Sequence, residues 1–560
     1  MTPARLTDRL TVSPQITATD LPALAARGCT TVICNRPDGE GTDQPTHQEI
    51  AQAAAALGIT LHYLPVVAGK VDDATASAFG DLLAAAAGPV LAYCRTGTRS
   101  ATLWALSAAA RGAAAAVLID TARRAGYDLS ALAERLGRQT AAGAPAAGPR
   151  TDAMHTVVIV GGGAAGIATA ASLLARDPKL DIAIIDPADQ HYYQPGWTLV
   201  GAGVFSAEQT VRQMASLIPR GVHWIKAAVA AFEPEQNAVL LEGCRVVRYR
   251  TLVVCPGLKL DWEAIPGLPE TLGKNGVTSN YRYDLAPYTW QQVQALRRGN
   301  ALFTQPPMPI KCAGAPQKAM YLSGDHWQRN GRIGDVRIEF LNAGAVLFGV
   351  ADYVPALMEY VKRYQATLSF GHTLTAVDGP RRVATFSRAL ADGSRETVQR
   401  SFDLLHVVPP QRAPDFIKAS PLADAAGWVD IDAGTLQHRR HANVFGLGDA
   451  GNTGNAKTAA AARKQAPVVA HNVVAQMRGE ALSARYDGYG SCPLTVERGK
   501  IVLAEFVYGG KLAPSFPAWL LDGRKPSRMA WMLKERILPP LYWQGMLKGR
   551  EWMAQPELAG

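Results

Sequence analysis

Two cysteines of this 560-residue chain lie in segments that suit thiolate chemistry. Cys312 has one lysine directly before it and another six residues after it, and neighbouring positive charge lowers the pKa of a thiol. Cys94 opens the loop CRTGTRS, which also carries Arg95 and Arg99. Where such a loop meets the start of a helix, its backbone N–H groups stabilise a thiolate, a persulfide or a bound oxyanion. We therefore predict catalytic roles for all four residues.

A glycine-rich segment indicates a dinucleotide site. Residues 157–168 (VVIVGGGAAGIA) place Gly161, Gly163 and Gly166 in G-x-G-x-x-G spacing, between an apolar strand and an alanine-rich helix. The first glycine allows a tight turn, the second lets the backbone approach a pyrophosphate, and the third lets helix pack on strand. Asp186 follows the next predicted strand, where a carboxylate can bind ribose hydroxyls.

The elements that must position these residues fall into two units. Residues 140–153 (TAAGAPAAGPRTDA) are small and non-periodic, which predicts a linker. Before it, apolar runs at 30–34 and 90–93 predict strands, and alanine-rich runs at 48–57 and 75–87 predict helices. After it, runs at 156–160 and 182–185 predict the strands around the glycine segment. Both units are therefore expected to be α/β.

Composition excludes several classes of protein. The chain is 48% hydrophobic and 19% charged, with a net charge of +10 but no dense Lys/Arg run and no nucleic-acid motif, so no nucleic-acid partner is expected. Seven cysteines without C-x-x-C spacing predict neither a disulfide framework nor a metal site. No apolar run predicts a transmembrane helix, and residues 1–10 do not resemble a secretory signal. We expect a cytoplasmic protein.

Many segments of the second unit resemble the sulfide:quinone oxidoreductases, in particular the type related to the animal mitochondrial enzyme. They are residues 190–203 (QHYYQPGWTLVGAG), 307–322 (PMPIKCAGAPQKAMYL), 404–410 (LLHVVPP), 420–432 (SPLADAAGWVDID), 435–440 (TLQHRR) and 486–493 (YDGYGSCP). Residues 250–257 (RTLVVCPG) and 444–449 (VFGLGD) resemble the remaining FAD signatures of flavoproteins with two dinucleotide-binding domains.

The resemblance implies bound FAD and a redox role for Cys312. It places Asp449 on the ribityl hydroxyls, and the other implied FAD-binding residues are Gln194, Val229, Gly257, Gly448 and Lys457. No second G-x-G-x-x-G occurs between residues 266 and 400, where a nicotinamide site would be expected. Electrons must therefore go elsewhere, with quinone, a cytochrome or a thiol as the choices. The resemblance favours quinone.

One position departs from this resemblance. It implies a second redox thiol directly after the Gly-Asp of the last flavin motif, where this chain has Ala450. The usual disulfide with Cys312 is then not expected. Three alternatives stay open: another cysteine such as Cys492, an external thiol or persulfide, and Cys94.

The first unit resembles two kinds of cysteine enzyme. Its Cys94 loop resembles that of single-domain rhodaneses, which carry sulfane sulfur as a persulfide. Residues 15–37 (QITATDLPALAARGCTTVICNRP) resemble the phosphatase-like domain found with bacterial sulfur-metabolism enzymes. Phosphatases of this type need C-x-x-G-x-x-R, but position 100 is serine and Arg99 comes one place early. We predict a sulfurtransferase, with a phosphatase or a silent loop as alternatives.

The C-terminal residues 511–552 interleave aromatic and aliphatic residues with lysines and arginines. Pro539 and Pro540 predict a division into two short helices. Apolar faces with basic flanks suit a helix in the membrane interface, from which the related enzymes reach quinone. The alternative is a helical pair packed on the protein body.

We therefore expect a phosphatase-like α/β domain (1–139), a linker (140–153), a glutathione-reductase-like oxidoreductase domain with two Rossmann-like subdomains (154–490) and an amphipathic tail (491–560) on the inner face of a membrane. The expected function is FAD-dependent oxidation of sulfide or a persulfide through Cys312, with quinone as electron acceptor. Cys94 would transfer the sulfane sulfur to a thiol acceptor. The alternatives are a phosphatase or regulatory module fused to an oxidoreductase that does not use the two-cysteine route, and a sulfide or redox sensor.

Overall fold

The computed structural model describes residues 3–559 apart from 8, 43, 68, 114, 143–150 and 243–244. The chain divides into two compact units, residues 1–152 with 243–246 and residues 153–242 with 247–560. The predicted linker is shorter than expected, because a helix continues to Ala142 and a strand begins at Thr151. The part of that linker at 143–150 lies outside the described residues.

The first unit is a five-stranded sheet with helices. Its strands are β1 (Ala4–Arg5), β2 (Leu10–Ser13), β3 (Thr31–Cys34), β4 (Thr60–Tyr63) and β5 (Val90–Tyr93). Its helices are α1 (Leu21–Ala26), α2 (His47–Ala55), α3 (Asp73–Ala85), α4 (Thr98–Ala109), α5 (Ala115–Arg124) and α6 (Ala133–Ala142). The strand order is β1-β2-β5-β3-β4, parallel except for β1. Strand β5 is central and wholly buried, so the residue that follows it lies at the carboxyl edge of the sheet.

The second unit opens with the strand–helix–strand predicted around the glycines. The elements up to residue 305 are β6 (Thr151–Val160), α7 (Ala164–Arg176), β7 (Ile182–Ile185), β8 (Gln190–Tyr192), α8 (Trp197–Val200), β9 (Val211–Gln213), β10 (Val222–Ile225), β11 (Val229–Glu233), β12 (Ala238–Leu241), β13 (Val246–Val254), β14 (Lys259–Leu260), α9 (Leu268–Thr271), β15 (Val277–Thr278), α10 (Leu285–Ala295) and β16 (Gly299–Gln305).

The remaining elements include a second α/β layer and a C-terminal hairpin. They are α11 (Ala315–Arg329), β17 (Val336–Asn342), α12 (Val354–Arg363), β18 (Thr367–Phe370), β19 (His372–Asp378), β20 (Val383–Ala389), β21 (Arg395–Ser401), β22 (Leu404–His406), β23 (Gln411–Arg412), α13 (Asp415–Lys418), β24 (Val444–Gly446), α14 (Ala459–Arg478), β25 (Ala484–Arg485), β26 (Gly490–Glu497), β27 (Lys500–Phe506), α15 (Arg528–Met532), α16 (Leu538–Pro540) and β28 (Glu557–Leu558).

Two large sheets organise this unit. One has the order β10-β7-β6-β13-β12-β11, with β24 also paired to β13, and its central strands β7, β6, β13 and β24 are parallel. The other has the order β15-β22-β16-β17-β18 and is parallel throughout. Each sheet has its own apolar core. These are the two Rossmann-like layers that the sequence predicts.

The C-terminal part differs from the expected tail in two ways. Residues 490–506 form the hairpin β26–β27, whose alternate residues are core, so the helical tail begins only at Arg528. From there to Lys548 the chain stays helical through the Pro539–Pro540 pair instead of splitting at it. Wide π-type turns at Leu533–Ile537 and Leu541–Gly545 flank the prolines. They accommodate the backbone hydrogen bonds that proline, which has no N–H, cannot donate. None of the helices in the described ranges is long and apolar enough to cross a membrane.

Candidate functional site

The glycine segment forms a tight turn between β6 and α7 that only glycine can make. Gly161 has φ +109°, and a Cβ there would lie 2.5 Å from the carbonyl oxygen of Cys255. A Cβ on Gly166 would lie 1.8 Å from the carbonyl oxygen of Gly161, so helix and turn pack without a side chain between them. Asp186, at the end of β7, accepts a hydrogen bond from the N–H of Gly162 at 2.6 Å. The arrangement leaves α7 pointing its N-terminus into a cavity.

That cavity has a volume of about 500 Å³ and brings most of the predicted cofactor residues together. Its lining includes Gly161, Gly163, Asp186, Gln194, Gly257, Gly448, Asp449 and Lys457. Of the predicted cofactor residues, all of which the structure describes, Gly166 and Val229 are not part of the lining. Gly166 packs on Gly161, and Val229 lies in β11 opposite Leu241.

The cavity wall has unsatisfied polar atoms, which is the condition expected around a polar ligand. Among the described residues, buried nitrogen or oxygen atoms of four lining side chains have no hydrogen-bond partner; the side chains are Trp197, Thr198, Asn280 and Arg463. Such atoms are costly unless something satisfies them. A Cβ built on Gly163 would meet no other atom within 4 Å, which leaves room for a phosphate group against the backbone. The residues therefore fit a dinucleotide.

Charged groups line the floor of the cavity. Burial raises the pKa of Asp449, although Lys457 and Lys311 oppose that shift. The ammonium group of Lys457 donates to the carbonyl oxygens of Asp449 and Gly451, both at 2.8 Å, and burial lowers the pKa of Lys457 to about 8. Lys311 donates to the Gln194 side chain at 2.6 Å. Lys311 therefore points toward the cofactor residues and not toward Cys312.

Cys312 lines the cavity, and Cys492 packs beside it from the core. Their sulfur atoms are 3.7 Å apart, and the ammonium nitrogen of Lys318 lies 3.3 Å from the sulfur of Cys312. A Cβ at Gly314 would lie 2.5 Å from the Cys492 sulfur. Gly314, two residues after Cys312, therefore lets the two sulfur atoms come close together. Cys312 itself has φ +50°, an unusual conformation for a residue with a side chain. Strain of this kind collects at functional sites.

The two thiols have opposite electrostatic character. The hydrogen bond from Cys492 lowers the pKa of Cys312 well below its usual value, and the positive charges of Lys318 and Lys534 act in the same direction. The hydrogen bond to Cys312 and burial raise the pKa of Cys492. Both shifts favour ionisation of Cys312 over Cys492, as does the ammonium group of Lys318, which lies against the Cys312 sulfur.

Lys534 reaches this pair from the C-terminal helical run. It is buried, it donates to the carbonyl oxygen of Pro195 at 3.1 Å, and burial beside the positive Lys318 lowers its pKa to about 7. In the sequence, Lys534 is only one of several basic residues in an amphipathic segment. Its position 222 residues after Cys312 leaves no local signal for its role.

Ala450, where the resemblance implies a second redox thiol, packs in the core of the first large sheet. Ala450 is wholly buried, and its carbonyl oxygen accepts a hydrogen bond from the N–H of Val429. Cys492, one of the three alternatives, is the thiol that lies beside Cys312. The signal in the sequence was the alternation of residues 490–497, which puts Cys492 on the same face as the core residues Leu494 and Val496.

Cys94 lies in a second, separate site in the first unit. It directly follows the central strand β5, and its sulfur accepts the N–H of Gly97 at 3.1 Å just before α4 begins. Cys94 is wholly buried, and Tyr127 fills the space beside Gly97, where a Cβ would lie 2.2 Å from the tyrosine oxygen. The predicted loop between β5 and α4 is present, and Tyr127, which sequence reasoning missed, packs against Gly97.

The two predicted arginines of this loop have different surroundings. Arg95 is exposed. Arg99 is buried and donates to the Glu40 carboxylate at 2.7 Å and to the carbonyl oxygen of Val66 at 2.5 Å. The hydrogen bond from Arg99 lowers the pKa of Glu40. Ser100, at the position where phosphatases need arginine, donates to the side chain of Asn35 at 2.8 Å.

Comparison with known proteins divides the chain in the same way. Residues 4–111 match the family described as "Beta-lactamase hydrolase-like protein, phosphatase-like domain". The chain is 38% identical over 143 residues to the "Beta-lactamase hydrolase-like protein" of Agrobacterium fabrum, a match that covers 25% of this chain and a third (33%) of that protein.

The larger match is to a different family. The chain is 43% identical over 405 residues to the mitochondrial sulfide:quinone oxidoreductase of Dictyostelium discoideum, covering 72% of this chain and 88% of that one. The crystal structure of the sulfide:quinone oxidoreductase from Aquifex aeolicus superposes with a TM-score of 0.57 at 19% identity, over 72% of this chain and 97% of that one, which shows a shared fold. The resemblance found in the sequence is thereby confirmed: the chain belongs to the sulfide:quinone oxidoreductase family.

Proposed function

We propose that this protein oxidises sulfide with quinone as electron acceptor and FAD as bound cofactor. The observation that carries the proposal is the Cys312–Cys492 pair, 3.7 Å apart beside Lys318, with Cys312 in the lining of the cavity that holds the dinucleotide motif. A low-pKa thiol next to a second thiol is the arrangement that supports reversible two-electron sulfur chemistry.

The sulfur chemistry balances within this pair. Oxidation of the two thiols to a disulfide releases two electrons and two protons. Hydrosulfide then attacks the Cys492 sulfur, the S–S bond breaks, and Cys312 leaves as the thiolate, because the thiol of lower pKa is the better leaving group. The added sulfur remains as a persulfide on Cys492. A thiolate acceptor removes the outer sulfur and restores the Cys492 thiol.

FAD, when bound, would take the two electrons that re-form the disulfide and pass them to quinone. The residues proposed to hold it are those of the cavity wall: the backbone at Gly161 and Gly163 for the pyrophosphate, Asp186 for ribose hydroxyls and Asp449 for the ribityl chain. Lys318 and Lys534 keep Cys312 ionised, and Gly314 lets Cys492 approach.

Anaerobic mixing of the purified holoenzyme with sulfide tests the proposal. We expect the visible absorbance of oxidised flavin to bleach within one turnover and to return when a soluble quinone is added. The same experiment without sulfide is the control. Flavin that stays oxidised after sulfide is added would contradict the proposal.

For the first unit, we propose transfer of sulfane sulfur through Cys94 to a thiol acceptor. The Gly97 N–H on the sulfur supports a persulfide or thiolate at this position. A phosphatase is less well supported, since Arg99 already binds Glu40 and Ser100 turns to Asn35. Arg99 is thus already bound to a carboxylate, which leaves the exposed Arg95 as the other arginine of the loop to meet a dianionic phosphate.

We also propose that the C-terminal region attaches to a membrane surface. Large exposed apolar side chains concentrate there: Trp519 (85% exposed), Leu520, Met529, Met532, Ile537, Trp552 and Met553. Exposed basic residues flank them, namely Arg524, Lys525, Arg528, Arg536, Lys548 and Arg550. Met553 is both exposed and part of the cavity lining, so the apolar surface continues into the proposed quinone site. A lipid surface suits this combination of apolar and basic groups.

Replacement of two exposed apolar residues tests this attachment. The double variant Trp519→Glu/Ile537→Glu is expected to lose at least about tenfold in affinity for anionic vesicles, because each change removes apolar contact and adds repulsion. Sedimentation with vesicles measures the loss. Leu57→Glu, an exposed leucine in the first unit, is the control. Equal sedimentation of the double variant and wild type would contradict the proposal.

A further inference from the structure

The hairpin β26–β27 has two faces with different chemistry. Its register pairs Cys492 with Ala504 and, one residue away on each strand, Ser491 with Glu505. Because side chains alternate along a strand, Cys492 and Glu505 point to opposite faces. Cys492 and Ala504 belong to the core around Cys312, whereas Ser491, Pro493, Leu503 and Glu505 line the cavity.

Glu505 is an unusual residue for such a wall. It is only 4% exposed, and its carboxylate accepts hydrogen bonds from neutral groups: the Tyr489 hydroxyl at 2.5 Å, and the hydroxyl and N–H of Ser515 at 2.5 and 3.1 Å. The Tyr489 and Ser515 hydroxyls are also 3.3 Å apart. These hydrogen bonds fix the Glu505 carboxyl group within the cavity wall.

Apolar side chains line the same cavity as Glu505. They include Leu503, two residues away on the same face of β27, together with Phe516, Leu533, Leu541 and the exposed Met553. Apolar walls beside a hydrogen-bonded carboxyl group suit a molecule that is itself apolar and takes up protons.

We propose that Glu505 is the proton donor for the quinone, with Tyr489 and Ser515 as the relay that reprotonates it from solvent. This inference rests on the proposed quinone reduction. Conversion of a quinone to the quinol consumes two electrons and two protons. Bound reduced flavin would supply both electrons and one proton, and Glu505 in its protonated form would supply the other proton to a quinone oxygen. Solvent then returns a proton to Glu505 through the two hydroxyls.

Separate measurement of the two half-reactions tests the role. In Glu505→Gln, which keeps the size of the side chain, reduction of the flavin by sulfide is expected to stay within twofold of wild type. Reoxidation of photoreduced flavin by a soluble quinone is expected to slow at least tenfold, and the solvent deuterium isotope effect on that step is expected to change. Ser515→Ala, which leaves the carboxylate in place, is expected to slow reoxidation by a smaller factor.

The matched control is Asp325→Asn, a buried carboxylate bonded to Arg329 and to the backbone of Arg498, which is not part of the cavity lining. Glu505→Gln with a wild-type rate of reoxidation would overturn the inference. Equal slowing of both half-reactions would also overturn it, because that result indicates a structural role. If photoreduced wild type is not reoxidised by quinone, the proposed quinone step itself fails, whatever the variant does.

Discussion

Replacement of Cys492 by serine is expected to lower sulfide-dependent quinone reduction at least about a thousandfold while FAD remains bound. The Cys492 sulfur is the partner 3.7 Å from the Cys312 sulfur, and serine can form neither the disulfide nor the persulfide that the reaction needs. The measurement is steady-state quinone reduction with sulfide, together with the visible flavin spectrum of the purified variant. Cys312→Ser is expected to show the same loss.

The position of the second thiol can be tested against Ala450 directly. Cys492→Ser/Ala450→Cys is expected to stay inactive, since residue 450 is buried in the core. Cys29→Ser, a half-buried cysteine of the first unit, is the matched control and keeps wild-type turnover. Recovery of activity in the double variant, or a Cys492→Ser enzyme with more than a tenth of wild-type turnover, would show that another thiol serves Cys312.

Replacement of Cys94 by serine is expected to abolish sulfur transfer from a sulfane donor such as thiosulfate to a thiol acceptor, by at least about a hundredfold. The thiolate that would carry the sulfur is lost, whereas the hydrogen-bonded loop around it can persist. Detection of the persulfide product measures the loss. Reduction of flavin by sulfide is expected to be unchanged, because Cys312 and Cys492 supply the sulfur chemistry of the larger unit.

The same variant separates the two interpretations of the first unit. Cys29→Ser is again the control, since it changes a thiol of that unit outside the Cys94 loop. If wild type hydrolyses an aryl phosphate and Cys94→Ser does not, while sulfur transfer is absent from both, the unit is a phosphatase. The pairing of Arg99 with Glu40 argues against that result.

The sequence predicted the features that depend on local spacing. The glycine turn, the strands on either side of it and the Cys94 loop before α4 each involve residues a few positions apart, so the pattern was sufficient. The same holds for the buried strands β3 and β5 of the first unit.

The features that the sequence missed or left open depend on contacts between distant residues. Cys312 and Cys492 are 180 residues apart, and only the packing of α11 on the hairpin brings them together. Tyr127 over Gly97, and Glu505 between Tyr489 and Ser515, are likewise tertiary contacts. The Pro539–Pro540 pair shows a different limit. Each proline lacks one N–H donor, but a π-type turn beside it lets the other backbone N–H groups keep their hydrogen bonds.

Lys534 has a consequence for how the protein can be shortened or made more soluble. The helical run that presents exposed Met532 and Ile537, which we propose to contact a membrane, also places the buried Lys534 side chain beside Lys318 and the Cys312–Cys492 pair. Removal of the chain from Arg528 onward would therefore take a basic group away from the reactive centre together with exposed apolar side chains. Enzyme that is soluble without detergent and keeps its thiol reactivity should come from replacing outward-facing side chains one at a time. One face of this segment thus belongs to the proposed membrane surface, and the other belongs to the reactive centre.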